Sequence, residues 1–122
     1  MDRIATLRLA LVRSADDEAT FSPNYQRELR EFYQLVRADR TRMSAVSFTM
    51  HGVQDDRGFT GEFIVPLAQT IGSTLLRGAL AWRQSRTGRT LRMTFNKLEF
   101  DIGTSDEFEA LLKRAQSIYG LA

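Results

Sequence analysis

The chain has 122 residues, 43% of them hydrophobic, and a formal net charge of +2. That length suggests one domain spanning residues 1–122, with enough apolar material for a modest core. So small a net charge sets up no global field for nucleic acid, and the lack of cysteine excludes disulfides, thiolate metal sites and cysteine nucleophiles.

The basic side is nearly all arginine, with Lys97 and Lys113 the only lysines. Arginine suits planar, multidentate contacts, although a genomic arginine bias explains the excess as simply. The N-terminal MDRIATLRLALVRS has no secretory h-region, which fits a cytoplasmic protein. From Ile4 to Arg13 it alternates as a strand, with Leu7, Leu9 and Leu11 on one face. Ser14 to Asn24 reads as a solvated loop. Its Asp16–Asp17 pair is a conceivable metal ligand set, but nothing downstream completes one. No metal and no cofactor are expected.

Pro23 or Asn24 opens a helix running to about Ala38, with Leu29, Phe32, Tyr33 and Val36 as its buried stripe. Arg27, Arg30, Glu31 and Arg37 face water, and Arg27–Glu31 is an i,i+4 ion pair. Met43 to Val53 alternates as a second strand. A strand, a crossover helix and a strand form a βαβ unit, its strands parallel and adjacent or separated by one neighbour. His51, the only histidine, falls near the end of that strand. With Asp55 or Asp56 it is the one conceivable acid–base set, although no further partner groups accompany it.

Phe59 to Arg86 reads as the element around which the chain is organised, one long apolar helix. From Ile64 the apolar positions recur as Leu67, Ala68, Ile71, Leu75, Ala79 and Trp82, three and four residues apart. Pro66 is tolerated in a first helical turn, so the regular helix is expected to begin near Val65. Its charge-free run, Phe63 to Leu76, is shorter than the roughly 20 residues a bilayer span needs. A second apolar group, Val65, Leu76 and Leu80, lies about 100° round the helix. With Arg83 and Arg86 it makes a candidate partner-binding surface, apolar anchors with an arginine rim. Arg83, Arg86, Arg89 and Arg92 form an alternative set for a nucleotide or nucleic acid, ranked behind a protein partner because no aromatics interleave them.

Leu91, Met93 and Phe95, then Leu98, Phe100 and Ile102, alternate in two strands joined at Asn96–Lys97, a hairpin. Thr104 or Ser105 caps a closing helix with Phe108, Leu111, Leu112, Ala115 and Ile118 inward. The expected fold is therefore α/β of the mixed α+β kind. It has a sheet of about four strands, in the order β-α-β-α-β-β-α, with the long central helix packed on it.

Four segments in this order resemble one bacterial family. They are ELREFYQLVRAD (Glu28 to Asp39), a long apolar helix ending in LAWRQSR (Leu80 to Arg86), the strand RTLRMTF (Arg89 to Phe95) with its hairpin, and the helix DEFEALLKRA (Asp106 to Ala115). The family is the effector-associated constant component of predicted conflict systems, with Trp82 in the matching aromatic position. The resemblance implies a non-enzymatic adaptor in antiviral or conflict signalling, encoded beside effectors such as caspase-like or trypsin-like proteases. It brings no catalytic residues with it. Association with an effector protein, and self-association as an oligomer, are the expected partnerships.

Overall fold

The computed structural model describes residues 5–49 and 57–121. Leu7, Leu9 and Leu11 leave β1 (Thr6–Val12) on one side and are all buried. Alternation along a strand sends every second side chain to the same face, so these three leucines fix which face is covered. β1 is flanked on both sides by antiparallel partners. Leu7 and Leu9 stand opposite Val65 and Phe63 of β3 (Arg57–Pro66), and Leu9 and Leu11 opposite Met93 and Leu91 of β4 (Thr90–Phe95). β2 (Ser44–Thr49) pairs with the outer side of β3, and β5 (Leu98–Ile102) with the outer side of β4. The strand order is β2-β3-β1-β4-β5, antiparallel throughout.

Three helices cover the leucine face: α1 (Pro23–Ala38), α2 (Ser73–Gln84) and α3 (Ser105–Ile118). The element order through β4 is β-α-β-β-α-β, the split β-α-β or ferredoxin-like topology. β5 and α3 extend it. β1 and β2 run the same way with β3 between them, the second of the two arrangements the crossover allows. None of the three described helices covers the opposite sheet face, which carries two cross-strand ion pairs, Arg8–Glu62 at 3.7 Å and Arg92–Asp101 at 3.5 Å.

The expected long helix divides in two. Its first part is β3, so Val65 and Pro66 end a strand and do not begin a helix. Phe63, Val65 and Leu67 are buried at a spacing of two. Only the second part is helical, and there Leu75, Ala79 and Trp82 keep the inward stripe. The fold therefore has five strands where about four were expected. Gly61 lets β3 pass close to β1: its φ is +98°, and a Cβ there would meet the Leu11 carbonyl oxygen at 2.9 Å.

Other local expectations hold. Pro23 opens α1, and Thr104 caps α3 by accepting from the Glu107 N–H. Asn96 and Lys97 both have positive φ, as a two-residue hairpin turn with the sheet's twist requires. Ile118 departs from the expected stripe of α3 and is 42% exposed.

Two glutamines stand in for missing strand neighbours. The Gln26 amide accepts from the Phe59 N–H at 2.7 Å and donates to the Phe59 carbonyl at 2.9 Å. Gln69 does the same for Arg42, at 2.8 Å both ways. Each side-chain amide satisfies a donor and an acceptor that would otherwise be unpaired.

Candidate functional site

The structure brings together only some of the residues expected to form a site: Leu76, Leu80 and Arg83 share one flank of α2, and Val65 does not join them. Val65 is fully buried on β3 opposite Leu7, beneath the helices, and belongs to no surface. Leu76 and Leu80 are half-buried and packed against the core. They lie on the flank of α2 that turns away from α1, because Gly78 and Ala81 occupy the α1 side of the helix. Arg83 is half-buried with an unpartnered Nε, and Arg86 is exposed, 3.5 Å from Asp17. Of the alternative arginine set, Arg86 and Arg89 converge on Asp17, and Arg83 and Arg92 do not join them there. Arg92 pairs with Asp101 on the sheet face away from the helices, and Arg89 is completely buried. His51, Asp55 and Asp56 lie outside the described residues.

Arg89 occupies the centre of a buried ion cluster. Its Nε and Nη2 donate to the two carboxylate oxygens of Asp17 at 3.0 and 2.8 Å. Nη2 also lies 3.0 Å from Glu28, and Nη1 donates to the Trp82 carbonyl and the Ser85 hydroxyl. The guanidinium sits over the Trp82 ring, 4.3 Å from its centroid. Asp17 is thus no solvated loop residue. The Arg89 hydrogen bonds hold its carboxyl down to about 2 against the penalty of burial, and the Ser14 N–H helps. Burial, then the Asp17 charge, push Tyr25 up to about 12. Burial works against the Arg89 charge, yet the hydrogen bonds it donates to Asp17 and Glu28 outweigh that and raise its pKa. Asp17 and Tyr25 therefore titrate far from neutrality, where general acid–base work is inefficient. The cluster is a lock between the loop before α1, α1 itself, and the segment joining α2 to β4. Nothing at sequence level paired Asp17 with Arg89. An arginine just after a helix reads as a dipole partner, and an acid in a polar loop reads as solvated.

Beside this lock runs an apolar groove between α1 and α2. Phe32, Leu35, Gly78, Ala81 and Trp82 line it, and Glu28, Glu31 and Ser85 edge it, around a volume of about 380 Å³. Gly78 sets the approach of the helices, since a Cβ there would touch the Phe32 ring at 3.3 Å. Leu35, on the groove wall, is 52% exposed. Sequence reading placed Leu35 on neither face of α1, and the groove exists only because two helices meet.

Among the described residues no three His, Cys, Asp or Glu side chains are placed to hold a metal ion. No described helix is long and apolar enough to cross a membrane. Comparisons with protein families, with characterised proteins and with solved structures find no match.

Proposed function

We propose that this protein is a non-enzymatic accessory module that docks a partner protein in the groove between α1 and α2. The observation that carries the reading is the exposed apolar wall of that groove, Leu35 and Ala81 beside the Trp82 edge, with an acidic rim. An apolar strip between two helices suits an amphipathic helix of a partner, laid in by its apolar anchors. The partner surface thus moves from Val65, Leu76 and Leu80 to the opposite flank of α2. The wider setting rests on the sequence resemblance: a cytoplasmic effector complex in bacterial antiviral or conflict signalling, the partner being an effector such as a protease.

The test places a photo-crosslinking residue at Ala81 in the native host and identifies the captured protein. That protein is then purified and its affinity measured for the wild-type chain and for Leu35→Arg. Both Leu35 and Ala81 are exposed, so neither change disturbs the core. The reading expects one protein captured and its purified form bound at least about tenfold more weakly by the variant, a loss of about 1.4 kcal/mol. Equal binding to both chains overturns it.

A further inference from the structure

The outer side of α1 faces away from the groove and gathers arginines that the sequence had left as a solvated helix face. Arg30, Tyr33, Gln34, Arg37, Ala38 and Phe59 line a cleft of about 600 Å³. Arg37 is shared with an adjoining cleft of about 400 Å³ that also holds Arg40 and Arg42. Both volumes fall within the about 300–1,000 Å³ typical of ligand sites. Among the described residues none of these four arginines makes an ion pair. Asp39, the single acid between Phe32 and Ser44, is drawn aside. It lies against Gly72 at the N-terminus of α2, where the helix dipole favours a carboxylate.

Two of the four arginines are already positioned. Arg37 lies over the Tyr33 ring at 5.4 Å and donates to the Tyr33 hydroxyl at 3.1 Å. Arg42 donates to the Ala68 carbonyl at 3.0 Å. The floor is aromatic: Tyr33 and Phe59 are half-buried, 5.5 Å apart, with Phe63 stacked beneath Tyr33. Arg30 and Arg37 are two helical turns apart, roughly 10 Å, and Arg40 and Arg42 carry the charge further. That is a row of cations, longer than one phosphate needs.

We propose that this face of α1 binds single-stranded nucleic acid, its phosphates on Arg30, Arg37, Arg40 and Arg42 and its bases against Arg37, Tyr33 and Phe59. Planar guanidinium groups and aromatic rings are the surfaces on which unpaired bases stack. A duplex keeps its bases inside and gains nothing from an aromatic floor. An acidic peptide or an anionic lipid would use the charge and leave the aromatics idle. The site goes beyond the groove reading and lies on a different face of α1, so either stands without the other.

The test is fluorescence anisotropy of a labelled oligouridylate, about twelve nucleotides long, over about 50–200 mM salt. Four phosphate contacts on a single strand predict a log–log salt slope of about −2 to −3. Arg37→Glu with Arg40→Glu is expected to weaken binding at least about tenfold and to flatten the slope by more than about one. Arg13→Glu with Lys113→Glu changes net charge equally at exposed positions elsewhere and is expected to leave affinity within about twofold. Arg30→Gln with Arg40→Gln gives a milder second variant, and thermal melts show that each variant folds. Four results overturn the proposal: no binding at the lowest salt; an equal loss in the charge-matched control; uridine monophosphate competing as well as the oligomer; or the same arginines binding an acidic peptide or phosphatidylserine vesicles and not the oligomer.

Discussion

Arg89 and Asp17 are joined by two parallel hydrogen bonds across 72 residues of sequence, with both side chains almost wholly out of water. A buried pair is costly to halve, because the remaining charge loses its partner and cannot reach solvent. Arg89→Gln is therefore expected to destabilise the protein by about 3–5 kcal/mol, a large share of a domain's usual stability. Arg89→Lys is expected to fail as well, since an ammonium cannot reproduce a planar fork that reaches Asp17, Glu28, Ser85 and the Trp82 carbonyl. Urea unfolding measures both. A double-mutant cycle with Asp17→Asn is expected to show coupling of at least about 1 kcal/mol. Additive losses would mean that the pair does not act as a unit.

Acid should act on the same pair. The Asp17 carboxyl sits at about 2 in the fold against 3.8 ordinarily. Between those values the unfolded chain binds the extra proton, so stability rises with pH there. The contribution is complete above about pH 4 and lost as pH falls toward about 2. Urea midpoints across that window are expected to fall more steeply for the wild type than for Asp17→Asn. Parallel curves would locate the acid sensitivity elsewhere.

Gln26 is expected to matter to β3 more than to its own helix. Gln26→Met keeps the bulk of the side chain and removes both hydrogen bonds to Phe59. A cost of about 1–3 kcal/mol follows from leaving the half-buried Phe59 backbone groups, and the Thr20 carbonyl, without their partner. The local readout is amide hydrogen exchange at Phe59, which should accelerate beyond what the global loss explains.

Gly61→Ala meets two obstacles at once, a φ of +98° and the Leu11 carbonyl oxygen at 2.9 Å from the new Cβ. Strain of about 1–3 kcal/mol is expected, seen as a lowered melting temperature. A neutral result would show that β1 and β3 separate at no cost at this point.

Much of this architecture was legible where the signals were local. The proline at the start of α1, the Asn96–Lys97 turn and the Thr104 cap each depend on neighbours a few residues away. The segment from Phe59 to Leu67 was misread for a physical reason. Phe63 to Leu67 is apolar on both faces of β3, and a short continuous apolar run has no period of its own. Ile64, Leu67, Ala68 and Ile71 then fell by coincidence at helical spacing. Phe59, Gly61, Phe63 and Val65 also recur at a spacing of two, and Pro66 suits a strand end as well as a helix start. The sites were less legible than the elements. Leu35 and Gly78 acquire meaning only where α1 crosses α2. Arg30 and Arg37 looked like solvated charges until Phe59, from a strand mistaken for a helix, closed the cleft beside them.

The central position of β1 has a consequence for synthesis. Thr6 must wait for Pro66, and Leu9 for both Phe63 and Met93, before either edge of the strand is satisfied. At about 5–20 residues per second the ribosome takes several seconds to deliver them. During that interval three leucines and two unpaired strand edges leave the exit tunnel with nowhere to go. β1 is thus made before either of the strands that flank it, and Leu7, Leu9 and Leu11 stay uncovered until both have arrived.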